Sequence, residues 1–434
     1  MAVGLDPDSR AAEASMPDGS TTLAEVARAK ALATPLSEFN VADPELFRGD
    51  TLWPWFERLR REDPVHYCKD SEFGPYWSVT KHRDIIEVDS HHGVFSSSSE
   101  LGGIAIQDGL EPNDRASFIS LDPPMHDEQR RAVAPMFSTA SMAGLEPLIR
   151  TRAAAILDEL PVGETFDFVD RVAVELTSQM LATLFDFPFE QRRALPRCSD
   201  LILATPAPGG IVESEPQRQM ELIQILTPFV GLWNERLAAP PANNLISMLA
   251  HSAATSKPTP EAYFGNIILL IVAGSDTTRH SITGGLLALN QNPGEYAKLR
   301  ANPGLIDSLV PEIIRYQSPV AHMRRTALED VELGGKQIRK GDKVVMWYVS
   351  GNRDEEAIED ADAFIIDRAR PRQHVAFGFG IHRCVGNRLA EMQLKVMWEE
   401  ILKRFSHIEV VGEPKRMNSN FVKGYEAMPV RITA

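Results

Sequence analysis

Cysteine is scarce in this chain. Its 434 residues include three, Cys68, Cys198 and Cys384, too few and too scattered for a disulfide framework. They fit a reducing compartment, and we expect a cytoplasmic protein. Long apolar runs are missing too. The longest, residues 267–274, falls far short of the roughly 20 residues of a membrane-spanning helix and reads as part of a buried core helix. Residues 1–9 show no basic stretch followed by an apolar one, so we expect neither a signal peptide nor a membrane anchor. Positive charge is in deficit. The 45 Lys and Arg against 60 Asp and Glu leave a net charge of -15, which argues against non-specific nucleic-acid binding. No internal repeat is visible. Hydrophobic residues make up 43%, enough for a sizeable core in one large domain or two ordinary ones.

What is present is concentrated near the C-terminal end. The stretch Phe377-Gly378-Phe379-Gly380-Ile381-His382-Arg383-Cys384-Val385-Gly386 sets one cysteine in a glycine-bent loop, just before a helical pattern that begins at Asn387. A thiol at a helix mouth is suited to ionisation, since backbone N–H groups can donate to the sulfur and the helix dipole favours negative charge. Glycines let such a loop pass close beneath a flat ligand. For an arbitrary single cysteine, a small buried residue beside a tight turn is the more ordinary reading.

These residues fit the pattern F-x-x-G-x-H-x-C-x-G, which resembles the haem-binding loop of the cytochrome P-450 superfamily. The resemblance implies a mainly α protein with a small β region, folded as a triangular prism with a long central helix over haem b (iron protoporphyrin IX). It implies that Cys384 is the proximal iron ligand. Phe377, Gly378, His382 and Gly386 would then belong to the haem-binding loop.

Taken in order, residues 1–20 are polar and rich in Gly, Pro and Ser and are expected to form a disordered tail, with 21–434 a single catalytic domain. Helical patterns occupy 22–30 and 53–60, where Pro54 is acceptable in the first turn. Residues 65–68 and 76–80 read as a hairpin across Phe73-Gly74-Pro75. Residues 102–109 are loop-like; the family caps its substrate pocket with this region, and an ordinary surface loop looks the same in sequence. Asp122-Pro123-Pro124 opens a helix on which His126 and Arg130, four apart, share one face. Residues 140–250 are mostly helical, with breaks at 161–163 and 204–210, the second a mobile lid or a plain connection. A long helix is expected over about 259–290, and 343–349 is the strongest strand pattern.

On the long helix, Leu269, Ala273 and Thr277 are spaced at four and line one face. The small residues Ala273 and Gly274 leave room beside it. An acid–alcohol pair, Asp276 and Thr277, is costly on an apolar helix unless it works or is well paired. A threonine back-bonded to its own helix, with Asp276 salt-bridged elsewhere, is the plain alternative. The match to the family's A-G-x-D-T-T implies that Ala273 lies against haem and substrate and that Asp276 feeds protons through water. Thr277 would open a local bulge or donate to iron-bound oxygen. The resemblance further implies that His126, Arg130, Arg324 and His382 anchor the haem propionates. Glu312, Arg315 and Arg368 would form a structural triad without chemistry. Leu269, Val272, Ala273, Val320, Ala321, Phe421 and Val422 are the implied substrate contacts, the last two at the tip of a terminal hairpin around 418–424.

The likeness covers about residues 45–434 with the landmarks in order. Longer stretches, 350–374 and 377–398, are most similar to the soluble bacterial terminal hydroxylases of alkanes and fatty acids. This implies a haem–thiolate monooxygenase that takes O2 and a small apolar substrate. No flavin or iron–sulfur motif is fused, so ferredoxin and ferredoxin reductase are the implied electron donors, and we expect a monomer. Between Asp367 and Arg388 there are five arginines, Arg368, Arg370, Arg372, Arg383 and Arg388, against one acid. They form either a docking face for an acidic ferredoxin or a solvated basic surface. Other readings stay open: oxidation of another lipophilic substrate such as a terpene, a peroxide-driven haem–thiolate enzyme, or a haem sensor without catalysis, for which a separate output domain would be expected. The ordered landmarks argue against a structural protein with a chance cysteine loop.

Overall fold

The computed structural model describes residues 22–108, 117–204 and 210–433. The expected N-terminal tail, most of the 204–210 segment and the end of the 102–109 loop lie outside the described residues. The architecture is mainly helical with small sheets. The helices that position the site are α1 (His82–Ser90), α2 (Met125–Val133), α3 (Ala194–Leu203), α4 (Pro260–Gln291), α5 (Ile306–Gln317) and α6 (Asn387–Arg404).

Helix α4 has 32 residues and is about 48 Å long at 1.5 Å per residue. Its start follows from local chemistry. The Thr259 hydroxyl accepts from the Ala262 N–H at 3.2 Å, and Pro260 fills the first turn, where a missing N–H costs nothing. Its end precedes Asn292-Pro293, and proline disfavours helix at the residue before it. From Thr278 to Leu289 every side chain is buried, so α4 runs through the main core and packs on α3, α5 and α6. A helix buried on all sides belongs inside a domain.

Strands β1 (Val65–Cys68), β2 (Tyr76–Val79), β3 (Phe95–Ser96), β4 (His322–Ala327) and β5 (Lys343–Trp347) form one sheet in the order β1-β2-β5-β4-β3. The β2–β5 pair is parallel and the others antiparallel, with His322 opposite Trp347 and Arg324 opposite Val345. Every residue of β5 is buried, as suits a central strand covered on both faces. The strand stops short of its apolar pattern over 343–349. Tyr348–Gly351 forms a helical turn instead. That turn brings Gly351 against α1, where a Cβ would lie 2.6 Å from Ile85 Cδ1, and lets the Tyr348 hydroxyl reach Asp89.

Glu312 on α5 is fully buried, and its two oxygens accept from Arg315 Nε and Nη2, both at 2.8 Å. Arg368 Nε donates to Glu312 Oε2 at 3.1 Å, and the Ile365 N–H to Oε1 at 2.8 Å. Arg315 also donates to the carbonyls of Asn352 and Ala361. A buried charge cluster holds only when its members are satisfied in this way. Here it ties α5 to the irregular segment that leads into the cysteine loop.

Candidate active site

The cysteine loop closes on itself through the Cys384 N–H, which donates to the Phe377 carbonyl at 2.8 Å. Two glycines in the left-handed region, Gly378 (φ 66) and Gly380 (φ 62), supply its bends. Helix α6 begins at Asn387, so Cys384 stands just before its N-terminus. The thiol has accessible surface yet is enclosed by protein, which places it facing an interior space rather than bulk water. Burial pushes this thiol up, while the Gly386 N–H, Arg130 and Arg383 favour the thiolate. Cys68 and Cys198 are simply buried.

Helix α4 presents the second wall. Ala273 is exposed at the middle of this largely buried helix, and its neighbours at four-residue spacing, Leu269 and Thr277, are half-buried. Leu269, Phe377 and Val385 pack on the same core, and α4 and α6 are in contact. Gly274 does not add room, contrary to the sequence reading. A Cβ there would sit 2.7 Å from Leu181 Cδ2, so its missing side chain admits a neighbouring helix. Thr277 Oγ1 donates to the Ala273 carbonyl at 2.8 Å, and the helix is continuous through this point.

Asp276 is fully buried. Its Oδ2 accepts from Ser199 Oγ on α3 at 2.8 Å, and its Oδ1 faces Arg279 Nη2 at 2.9 Å without hydrogen-bond geometry. Burial pushes this carboxyl up to about 6, against the pull of Arg279. Arg279 in turn pairs with Asp200 at 2.8 Å, and both line a surface cavity of about 320 Å³ with Asp170, Arg193 and Arg197. Sequence reasoning missed these partners. Arg279, three residues after Asp276, was within reach of helix spacing; Ser199 and Asp200 come from a distant helix with no local signal.

The expected anchor residues divide into two groups. His126 and His382 meet with ring centroids 4.3 Å apart. His126 Nδ1 pairs with Asp127 Oδ1 at 2.8 Å, whereas its Nε2 and both ring nitrogens of His382 are buried without partners. Arg130 donates to the Arg383 carbonyl and is close enough to Cys384 to favour its thiolate. Arg324 stands differently: it donates to Asp108 Oδ1 at 2.7 Å and to the Leu101 carbonyl at 3.1 Å, and Lys343 shares Asp108 at 2.6 Å. The arginine whose charge bears most on His382 is Arg325, which sequence reasoning passed over.

Of the implied substrate contacts, Leu269, Val272, Ala273, Val320 and Phe421 keep accessible surface. Ala321, fully buried in the cluster around Trp347, and Val422, 2% exposed, have essentially none to offer a ligand. Backbone bonds consume this stretch: the Ala321 N–H donates to the Phe421 carbonyl, the Lys423 N–H to that of Pro319, and Val320 bridges Val422. Successive residues of an extended chain point to opposite faces, so Val320 and Ala321 cannot face the same side.

These residues fit haem. The thiol faces inward, Ala273 opens the middle of a buried helix, and three imidazole nitrogens are buried without partners. The fold, with its cysteine loop and long acid–alcohol helix, is that of the haem–thiolate monooxygenases. The family model described as Cytochrome P-450 matches residues 217–427. Linalool 8-monooxygenase from Pseudomonas putida is 38% identical over 405 residues, covering 90% of this chain and 98% of that protein. Cytochrome P-450-153 from Novosphingobium aromaticivorans superposes with a TM-score of 0.84 at 41% identity, covering 91% of this chain and 99% of the other. CYP153D17 from Sphingomonas sp. PAMC 26605 gives 0.86 at 45% identity, covering 92% and 100%. The chain belongs to the cytochrome P-450 superfamily and is a monooxygenase of that class. No helix among the described residues is long and apolar enough to cross a membrane.

Proposed function

We propose that the chain hydroxylates linear alkyl chains, alkanes or fatty acyl chains, at or near the terminal methyl. The observation that carries this reading is the likeness of residues 350–374 and 377–398 to the soluble bacterial terminal hydroxylases. The walls agree: Leu269, Val272, Val320 and Phe421 are apolar and partly accessible.

When bound, haem supplies the iron at which O2 is activated for insertion of one oxygen atom into a C–H bond. Cys384 holds that group through its sulfur, in the loop shaped by Phe377, Gly378 and Gly386. His126, Arg130 and His382 would bind its propionates, Arg324 would contribute less because Asp108 already holds it, and Ala273 would give the group room against α4. The apolar walls exclude water and hold the alkyl chain end-on. A terminal C–H bond is harder to attack than that of the adjacent methylene, so selectivity rests on orientation. Thr277 holds a proton at Oγ1, and Asp276 takes up and releases one at its carboxylate. Arg279 and Asp200 connect Asp276 to the surface cavity. Electrons come from a ferredoxin and its reductase; Arg370, Arg383 and Arg388 are exposed near the loop, whereas Arg372 pairs with Glu391 and Arg368 belongs to the Glu312 cluster. The enzyme works as a cytoplasmic monomer.

The relationship to linalool 8-monooxygenase favours a second reading, an acyclic terpene alcohol as substrate. Titration of the haem-loaded protein with linear alkanes, fatty acids and linalool, followed by product analysis with a surrogate ferredoxin and reductase, separates the two. Oxidation of linalool with no response to any linear chain would overturn the first.

A further inference from the structure

We propose that Asp89 is the positioning residue of the cysteine loop: its carboxylate fixes where Cys384 presents its sulfur and balances the charge behind it. The proposal rests on the reading of Cys384 as the iron ligand. Asp89 lies next to the end of α1 and is 2% exposed. Three donors from separate parts of the chain converge on it. The Phe379 N–H, inside the loop, donates to Oδ2 at 2.7 Å; the Tyr348 hydroxyl donates to the same oxygen at 2.9 Å; Arg325 Nη2 donates to Oδ1 at 2.6 Å.

The backbone of Asp89 belongs to the same clamp. A Cβ on Gly380 would lie 2.2 Å from the Asp89 carbonyl oxygen, and one on Gly378 would lie 3.1 Å from Asp89 Oδ2. Both bends of the loop are therefore shaped against this one residue. The loop cannot move toward α1 without collision, and it cannot move away without giving up a bond to a carboxylate, which is stronger than a neutral one.

A neutral acceptor would not serve equally. Arg325 is 3% exposed, and a buried guanidinium needs its counter-charge. Without the Asp89 charge, the Arg325 cation near His382, two residues from Cys384, would lose its counter-charge within the protein. Such a cation favours the reduced state of nearby iron and drains electron density from the thiolate, and the freed loop would let the sulfur shift.

The test uses the full chain loaded with haem. Asp89→Asn is expected to convert several-fold more of the reduced carbon monoxide complex from the red-shifted thiolate band to the shorter-wavelength band of a neutral thiol. Its reduction potential should become more positive, and haem transfer to apomyoglobin several-fold faster. Adding Arg325→Met should bring the potential back toward wild type, a reversal that a purely structural role would not produce. Should Asp89→Asn fail to fold, Tyr348→Phe removes one of the three bonds and should move band and haem transfer the same way, by less. Wild-type bands, potential and haem transfer in these variants would overturn the proposal, as would a potential that Arg325→Met leaves unrestored. Cys384→Ala retaining the thiolate band would instead overturn the ligand reading itself.

Discussion

Ser199 Oγ donates to Asp276 Oδ2 at 2.8 Å, tying helix α3 to the acid of helix α4. The acid is thereby held by a neutral donor on one oxygen and by Arg279 on the other, with burial raising its pKa from 3.8 to about 6. The folded chain keeps a proton that the unfolded chain has already lost. Asp276 therefore contributes stability that is full below about pH 4 and lost as pH rises through about 6. A shift of about two units corresponds to about 3 kcal/mol. Asp276→Asn keeps an acceptor for Ser199 and removes the titration. Relative to wild type, urea unfolding should show the variant gaining about 2 kcal/mol between pH 4 and pH 7. A difference that does not change with pH would refute the raised pKa.

Thr277 Oγ1 is bonded to the Ala273 carbonyl within its own turn. Losing one such bond costs about 1 kcal/mol or less, so Thr277→Ala should fold and bind substrate normally. It should divert reducing equivalents to peroxide. Equal yields of product per electron in variant and wild type would remove Thr277 from proton handling.

Glu312 carries no proposed chemistry, and its replacement should read as stability. Glu312→Ala leaves two arginines facing each other in a dry site, Arg315 fully buried and Arg368 nearly so. Breaking a buried pair in this way costs about 3–5 kcal/mol. Denaturant unfolding that shows a loss below about 1 kcal/mol would contradict the packing role.

Much of the fold was legible because its signals are local. The Thr259 cap and Pro260 mark the start of α4, and spacing alone puts Leu269, Ala273 and Thr277 on one face. The glycines around Cys384 announce a bent loop before a helix. The family pattern, rather than spacing, linked Glu312 to Arg368 across a long stretch of chain. What stayed hidden depends on distant packing. Nothing in the composition of 82–90 marks Asp89 as a partner of Phe379, and nothing near Ser199 points to Asp276. Apolar pattern also misled where a side chain serves a distant partner. Tyr348 continues the β5 pattern but leaves the strand to reach Asp89. Gly274 looked like space and proved to be a contact with Leu181.

Arg130 and Arg324 should not contribute equally to haem retention. Arg324 already shares Asp108 with Lys343, whereas Arg130 sits beside Cys384 and donates to a backbone carbonyl. Arg130→Ala should release haem to apomyoglobin several-fold faster than wild type, with Arg324→Ala nearer to wild type. Asp108→Asn should free Arg324 and slow the release. Equal rates in all four proteins would argue against an anchoring role for either arginine.

Val320 and Ala321 are adjacent yet differ in what they have left to offer. Val320 is half-buried and bridges Val422, while Ala321 is fully buried among Phe39, Phe47 and Trp347. If the pocket takes a linear chain end-on, a larger side chain at Val320 occupies volume that the substrate needs. Val320→Phe should therefore move the preferred alkane to a shorter chain while leaving stability within about 1 kcal/mol. Ala321→Phe should do the opposite: overpacking a closed cluster costs about 1–3 kcal/mol, and chain-length preference should stay where it was. Leu269→Ala removes contact on the accessible face of α4, so the methyl end is held less firmly. Subterminal alcohols should then rise at the expense of the terminal product, since small misplacements are costly for oriented chemistry. The measurement is a product survey across alkanes of increasing length, run beside thermal unfolding of each variant. A chain-length shift in Ala321→Phe but none in Val320→Phe would place the substrate on the other face of the strand.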